Sequence, residues 1–280
     1  MADSGRNGGV RVLCYGRITG ADLPIPLGVG KRGFTILQND IFLSIIIPAY
    51  NEEHRLPGTL AQVAAYLEAQ TYLYEVLVVE NGSSDRTFAV AEAFAAEHEG
   101  FRVIRETQSG KGRAVRAGML AACGQYRFMC DADLSMPITE LGHFLPPEIE
   151  APQVVIASRE ADGAVRYDEP EYRHIGGRFV NDMIRYLVLP GLCDTQCGFK
   201  LFRADIAEDL FAKQTLTGWS FDVEILFIAQ QRGYEIVELP IPWHYRDQSH
   251  VKPLKDTLKL FLDLLAIRRN NRKGVYDPQV

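Results

Sequence analysis

The fold is decided by the stretch that runs from Phe42 to Glu53, FLSIIIPAYNEE. Its first half is an apolar run of strand length, and its second half changes abruptly to Pro, Asn and Glu. Similar apolar runs recur further along the chain, each followed by polar residues. The pattern predicts core strands at Phe42–Ile47, Glu75–Val79, Phe101–Ile104, Tyr126–Cys130 and Val154–Ala157.

Helical stretches separate these strands, at Leu56–Gln70, Asp85–His98 and Gly112–Cys123. Apolar strands that alternate with amphipathic helices are typical of an α/β fold, in which helices cover both faces of a mostly parallel sheet. Ligands of such sheets bind at the carboxyl ends of the strands. The polar residues that directly follow each strand are therefore the candidate site.

Asp131 and Asp133 follow the fourth predicted strand. Residues two apart in an extended segment point to the same side, so the two carboxylates are expected to repel each other unless a cation lies between them. A hard divalent ion such as Mg²⁺ or Mn²⁺, which binds carboxylates together with substrate phosphates, fits this pair. The simpler alternative to a metal site is that the two aspartates are an acidic cluster at the start of a helix.

Lys111 lies in Ser109-Gly110-Lys111-Gly112, just before a predicted helix. Glycines allow close backbone approach and a helix N-terminus attracts anions, which indicates phosphate contact. A tight turn with an exposed lysine is an equal alternative. The spacing of a P-loop is absent, so ATP hydrolysis has no support.

The second half of the chain differs from the first in composition and in its pattern of apolar residues. Residues 160–172 are charged and contain Gly and Pro, which predicts a mobile loop of the kind that often forms a lid. Arg173–Leu189 reads as a helix, and a further apolar helix ends at Gln231. Asp194 to Lys200, DTQCGFK, lies between them.

Taken together, these motifs resemble glycosyltransferases of family 2, which have the Rossmann-like GT-A fold. PAYNEE after the first strand, ENGSSD after the second, GKGRAVRAG and DAD carry that resemblance. The later segments DTQCGFKLF and WSFDVEIL are more similar to dolichyl-phosphate or polyprenyl-phosphate β-glucosyltransferases. The resemblance extends from about Phe42 to Tyr245.

The resemblance implies roles for individual residues. Asp131 and Asp133 would bind metal, ribose and diphosphate, and Arg159 and Arg173 would hold an acceptor phosphate. Asp222 would contact sugar hydroxyls or cap its helix. Many relatives have Asp-Asp-Gly-Ser where this chain has ENGS, so the chain departs from the family pattern at the position implied to recognise the base. The expected nucleotide-sugar site consists of Pro48, Tyr50, Glu52, Glu80, Lys111, Asp131, Ala132, Asp133, Asp194 and Gln196.

The implied reaction is inverting transfer of glucose from UDP-glucose to a polyprenyl phosphate. A phosphate monoester is mostly dianionic at neutral pH and needs positioning more than a general base. Three alternatives remain open: a mannose synthase that uses GDP-mannose, a transferase with a hydroxyl acceptor for which Asp222 is the base, and a binding protein without turnover.

The chain has a net charge of −6, which argues against a general nucleic-acid binder. Its five cysteines are expected to be reduced thiols. No secretory signal and no apolar run of about 20 residues is evident, which indicates a cytoplasmic protein that is at most peripheral on the cytoplasmic face of a membrane. Homo-oligomerisation is left open.

The C-terminal segment differs from the rest of the chain in charge and pattern. Lys252–Lys273 holds seven basic and two acidic residues and carries +5. It is predicted to be an amphipathic helix that binds an anionic membrane, packs on the domain, or dimerises. The predicted stripe consists of Leu254, Leu258, Phe261 and Leu265, widened by Leu262, Leu264 and Ile267.

Three units are therefore expected along the chain. Residues 1–40 form a partly disordered extension with short apolar segments at Val10–Tyr15 and Phe34–Leu37, residues 41–250 form the GT-A domain, and residues 251–280 form the amphipathic basic helix and tail.

Overall fold

The computed structural model describes residues 41–245 and 253–278. The predictions for residues 1–40, including their two apolar segments, lie outside the described residues. The central element is a seven-stranded sheet with the order β3-β2-β1-β4-β7-β5-β8, and β6 and β9 pair in a small second sheet. The strands are β1 Leu43–Ala49, β2 Tyr74–Glu80, β3 Phe101–Arg105, β4 Tyr126–Cys130, β5 Val154–Ser158, β6 Val165–Tyr167, β7 Phe199–Arg203, β8 Ile236–Pro240 and β9 Pro242–His244.

Helices cover both faces of this sheet, as predicted. They are α1 Leu56–Glu68, α2 Thr87–Glu97, α3 Lys111–Ala121, α4 Glu171–Leu187, α5 Ala204–Ala212, α6 Phe221–Gln231 and α7 Pro253–Arg272, with a 3₁₀ helix at Ile138–Phe144. Because side chains alternate along a strand, β1 contributes to two cores. Ile45 and Ile47 pack with α1 on one face, and Ile46 packs with α3 on the other.

The five predicted strands and the α/β class are confirmed. β1, β2, β3 and β4 are mutually parallel, so the segments that follow them emerge at one edge of the sheet. The prediction of a loop over residues 160–172 is wrong in part, because it contains β6 and the start of α4. β6 pairs with β9 from far along the chain, a contact that local composition does not reveal.

β7 was not predicted, and it changes the sheet. It lies between β4 and β5 and runs antiparallel to both, with Cys130 opposite Phe199. Its amino end therefore lies at the same edge as the carboxyl end of β4. The segment that precedes β7 is thereby brought beside Asp131.

α7 packs on the domain through a different stripe from the one predicted. Leu260, Leu264 and Ile267 are buried in the core below α6. Leu264 and Ile267 were predicted to widen the same stripe as Leu258, Phe261 and Leu265, but they face the domain instead. The apolar residues on the opposite side of the helix remain exposed: Leu258, Phe261, Leu262 and Leu265. The side chain of Leu254 lies outside the described part.

Two further expectations concern cysteines and membrane spans. Within residues 41–245 and 253–278, Cys123, Cys130, Cys193 and Cys197 are free thiols. Burial raises the pKa of the Cys197 thiol to about 12, with Asp194 adding to the effect, so this sulfur stays protonated. No helix in the same ranges combines the length and apolarity needed to cross a bilayer.

Candidate active site

A cavity of about 900 Å³ opens where the parallel strands end. This size is typical of a small-molecule site. The structure brings most of the predicted site residues into the wall of this one cavity: Pro48, Tyr50, Glu52, Lys111, Asp131, Ala132, Asp133, Arg159, Gln196 and Asp222.

Two predicted residues, Glu80 and Asp194, are not among those that line the cavity. Glu80 is buried at the end of β2, where its carboxylate accepts the Ser83 N–H and lies 3.6 Å from the Arg105 guanidinium. Through its bond to Ser83, Glu80 stabilises the ENGS turn without facing the cavity. A third residue, Arg173, lies in α4, but its side chain is outside the described part.

Lys111, the first residue of α3, forms an ion pair with Asp131. The Nζ–Oδ1 distance is 2.7 Å. Burial alone would lower the pKa of Lys111, but Asp131 and Asp222 more than offset it, so the pKa of the lysine lies above its usual value. The ammonium is therefore a permanent positive charge in the cavity wall at neutral pH.

Glycines set the positions of these charged groups. A Cβ on Gly198 would lie 1.9 Å from Asp131 Oδ2, so only glycine leaves room for that carboxylate. A Cβ on Gly110 would lie 2.5 Å from the Thr217 carbonyl oxygen, so the start of α3 is in contact with the segment before α6. Close approach of the chain at Gly110 and Gly198 thus constrains the surroundings of Lys111 and Asp131.

The carboxylates of Asp131 and Asp133 fit a hard divalent cation in their chemistry. Asp133 accepts the Ser135 N–H at 2.9 Å through Oδ1, which orients its carboxylate. Among the residues with described placement, no group of three or more His, Cys, Asp and Glu side chains could hold a metal. A Mg²⁺ or Mn²⁺ ion held by these two carboxylates would complete its coordination with water and with oxygens of a bound phosphate.

Asn81 joins the ends of β2 and β3 to the start of α3. Its Nδ2 donates to the Gln108 carbonyl at 2.7 Å, and its Oδ1 accepts the Gly110 N–H at 2.7 Å. Asn81 also lines the cavity, whereas Glu80 does not. The departure from the Asp-Asp pair of many relatives thus affects a residue that organises the loop before the N-terminus of α3.

Arg159 forms a bidentate ion pair with Asp194. The Arg159 Nε and Nη2 atoms lie 2.6 and 2.9 Å from the two carboxylate oxygens, and the Arg159 N–H also donates to Oδ2. Although burial opposes ionisation, the arginine lowers the pKa of Asp194, so the carboxylate remains charged. Asp194 therefore fixes the guanidinium plane in the cavity wall instead of lining the cavity.

Lys200 is a site residue that the sequence did not single out. It lies in β7, is almost fully buried, and places Nζ 2.6 Å from Asp222 Oδ1. Burial raises the pKa of Asp222, and Lys200 and Lys111 oppose that rise. A lysine in the middle of a core strand is the sequence signal that could have revealed this buried pair.

Further cavity residues come from the second half of the chain. Trp219 precedes α6, Trp243 and Arg166 belong to the small sheet, and both α4 and α7 contribute. Gly176, Gly177, Val180, Thr257 and Leu260 form the helical part of the wall. Periodicity predicted the helices, but it could not show that they meet at the cavity.

Comparison with known proteins identifies the family to which the chain belongs. Residues 44–211 match the family model described as glycosyl transferase family 2. The dolichyl-phosphate beta-glucosyltransferase of Saccharomyces cerevisiae is 32% identical over 261 residues, which cover 85% of this chain and 78% of the relative. The protein of that name from Homo sapiens is 31% identical over 249 residues, which cover 84% and 77%.

Solved structures show the same fold at lower identity. Glucosyl-3-phosphoglycerate synthase from Mycobacterium tuberculosis, in complex with UDP, has a TM-score of 0.57 at 18% identity, covering 81% of this chain and 80% of that one. Mannosyl-3-phosphoglycerate synthase from Rubrobacter xylanophilus has a TM-score of 0.60 at 18% identity, covering 86% and 77%. The chain therefore belongs to glycosyl transferase family 2 and is a glycosyltransferase of the GT-A fold.

Proposed function

We propose that this enzyme transfers glucose from UDP-glucose to the phosphate of a polyprenyl or dolichyl lipid, with inversion, to give a β-linked lipid-phosphate sugar. One observation carries the proposal: a single cavity is lined both by the Lys111–Asp131–Asp133 group and by residues of α4 and α7. The names of relatives at 31–32% identity, dolichyl-phosphate beta-glucosyltransferase, support the choice of sugar and acceptor.

The donor diphosphate fits the end of the cavity at α3. Its negative charge meets the Lys111 ammonium and the N-terminus of the helix, both of which favour anions. Asp131 and Asp133 are the residues that would hold Mg²⁺ or Mn²⁺, and the ion, when bound, would offset the charge of the departing UDP. Pro48, Tyr50 and Asn81, which line the same cavity, are then the residues proposed to contact the nucleoside.

The acceptor phosphate fits the part of the cavity whose wall contains Arg159 and Arg166. The two guanidinium groups lie 5.5 and 5.9 Å from the centroid of the Trp243 ring, so they share one region of the cavity. Carboxylates already hold both arginines, Asp194 for Arg159 and Glu169 with Glu160 for Arg166. Arginines fixed in this way are preorganised to orient a dianion.

No general base is needed for this acceptor. The phosphate dianion attacks the anomeric carbon, and the bond from that carbon to the UDP oxygen breaks with its electron pair on UDP. Asp222, engaged by Lys200, is suited to accept hydrogen bonds from the sugar hydroxyls. The pairing argues against the alternative in which Asp222 deprotonates a hydroxyl acceptor.

The lipid part of the acceptor requires the cavity to open towards a membrane. α7 lines the cavity through Thr257 and Leu260 and presents Leu258, Phe261, Leu262 and Leu265 outward. This outward group is called the α7 apolar face. Basic side chains on the same helix would attract anionic headgroups, so we place the enzyme peripherally on the cytoplasmic face of a membrane.

The decisive experiment is a transfer assay with purified protein, Mn²⁺ or Mg²⁺ and a short polyprenyl phosphate. UDP-glucose and GDP-mannose are compared as donors, and the matching polyprenol without phosphate serves as acceptor control. We expect a product only from UDP-glucose and the phosphorylated lipid. Equal transfer to the free polyprenol, or transfer from GDP-mannose alone, would overturn the proposal.

A further inference from the structure

Trp219 is an aromatic side chain with a large exposed surface inside the cavity. It is 45% exposed, lies two residues before the start of α6 and lines the cavity wall. A single exposed aromatic side chain is common on a protein surface, but this ring belongs to the wall of the cavity, where a ligand can cover it. Nothing in the transfer reaction as described so far uses this ring.

The indole is held at a defined place beside the diphosphate end. The segment that carries it touches α3 so closely that a Cβ on Gly112 would lie 2.8 Å from Phe221 Cβ and 2.9 Å from the Leu216 carbonyl oxygen. Lys111 Nζ, which bonds Asp131, lies 4.9 Å from the centroid of the Trp219 ring. The ring thus adjoins the group that receives the donor phosphates.

A carboxylate lies next to the ring along the chain. Asp222 is three residues from Trp219, lines the same cavity and is held by Lys200. A hexose with equatorial hydroxyls has C–H bonds on the faces of its ring and hydroxyls around its edge. An aromatic face packs well against the C–H groups, and a carboxylate accepts from the edge hydroxyls.

We infer that Trp219 is the platform on which the donor hexose stacks, and that it determines how strongly the sugar part of UDP-glucose is bound. The inference rests on the proposed function for the identity of the donor. It adds a specificity-determining residue to the reaction. The Trp219 ring covers one face of the hexose, Asp222 contacts its edge, and Lys111 binds the phosphate to which the hexose is attached.

The test measures the dissociation constants of UDP and UDP-glucose by calorimetry, in the presence of Mn²⁺, for wild type, Trp219→Phe and Trp219→Leu. The quantity of interest is the ratio of the UDP-glucose constant to the UDP constant. We expect this ratio to rise about three- to tenfold in Trp219→Leu, because an aromatic contact is lost. Trp219→Phe, which keeps a flat ring, should stay closer to wild type.

Tyr186→Leu is a matched control, because Tyr186 is 90% exposed and lies outside the cavity wall. Its ratio should equal that of wild type. An unchanged ratio in Trp219→Leu overturns the inference. This includes the case in which the protein binds UDP and UDP-glucose more weakly by the same factor, because the ring would then contact the base or support Lys111. Failure of the wild-type protein to bind UDP-glucose also overturns the inference. A raised ratio in Trp219→Leu together with no transfer to a polyprenyl phosphate contradicts only the proposed acceptor.

Discussion

Lys200, near the middle of β7, donates to the carboxylate of Asp222 at the start of α6, with 2.6 Å between Nζ and Oδ1. The lysine also donates to the Cys197 carbonyl oxygen. One buried ammonium therefore links the DTQCGFK segment to the helix that opens with WSFDVE. Both partners are almost completely removed from solvent.

Replacing Lys200 by Met should destabilise the protein by about 3–5 kcal/mol, because it leaves a buried carboxylate without its cation. Adding Asp222→Asn should recover part of that loss. Urea unfolding of the two single variants and the double variant measures the coupling. Lys259→Met, at an exposed pair with Asp263, is the control and should change stability by less than about 1 kcal/mol. Strict additivity of the two buried substitutions would show that the pair is not coupled.

Asp133→Asn should abolish glycosyl transfer and leave the fold intact. The amide retains the oxygen that accepts the Ser135 N–H, but it loses the charge needed to bind a divalent ion. Transfer is measured with saturating Mn²⁺, and thermal unfolding without metal is measured alongside. Because one negative charge is removed beside Asp131, the midpoint of unfolding should not fall. Full activity of this variant would exclude the metal role.

Gly198→Ala should greatly reduce transfer, because its Cβ would displace the Asp131 carboxylate from a position only 1.9 Å away. A matched glycine is Gly58 in α1, where an added Cβ meets nothing within 4 Å. Gly58→Ala should keep full activity and be slightly more stable. The comparison uses transfer rate and affinity for UDP. A transfer rate and an affinity for UDP equal to those of wild type in Gly198→Ala would show that the Asp131 carboxylate can function from another position.

The Asp194–Arg159 pair predicts a specific pH dependence of stability. The pKa of Asp194 is lower in the folded state, so its contribution is present above the unfolded pKa of about 3.9 and is lost as pH falls through the folded pKa. Asp194→Asn should therefore cost about 3 kcal/mol or more at pH 7, and the difference from wild type should shrink in acid. Asp205→Asn, at an exposed pair with Arg203, should cost less than about 1 kcal/mol. A difference for Asp194→Asn that is constant from pH 7 to pH 3 would contradict this assignment.

The α7 apolar face should mediate binding to anionic vesicles. Replacing Leu258, Phe261, Leu262 and Leu265 together by Ser should reduce sedimentation with such vesicles without unfolding the protein, because all four are partly or largely exposed. Leu73→Ser with Leu120→Ser, at two exposed leucines elsewhere, is the control. Equal sedimentation of the two variants would assign membrane binding to another surface.

The parallel half of the sheet was predictable because each strand is a continuous apolar run and each is followed at once by polar residues. The site residues on those strand ends, Asp131 and Asp133 among them, follow from the same pattern. β7 was not predictable in this way. Its five residues include Lys200 and Arg203, and its place between β4 and β5 depends on pairing with strands distant in sequence.

The orientation of α7 shows a different limit. Apolar residues occur on opposite sides of this helix, so periodicity alone offers more than one stripe. Burial of Leu260, Leu264 and Ile267 selects one of them. That choice depends on the apolar surface that α6 and its neighbours offer to α7. The sequence of α7 alone holds no information about that surface.

The reversed direction of β7 gives the enzyme a way to adjust its chemistry at a distance. The Gly198 carbonyl accepts the Asp131 N–H at 3.2 Å. This hydrogen bond joins the residue that precedes β7 to the residue that follows β4. A change of side chain inside β7, remote from any ligand, would shift the backbone on which the first carboxylate depends. A substitution in the interior of the sheet can therefore alter the position of Asp131 while every residue of the cavity wall stays the same.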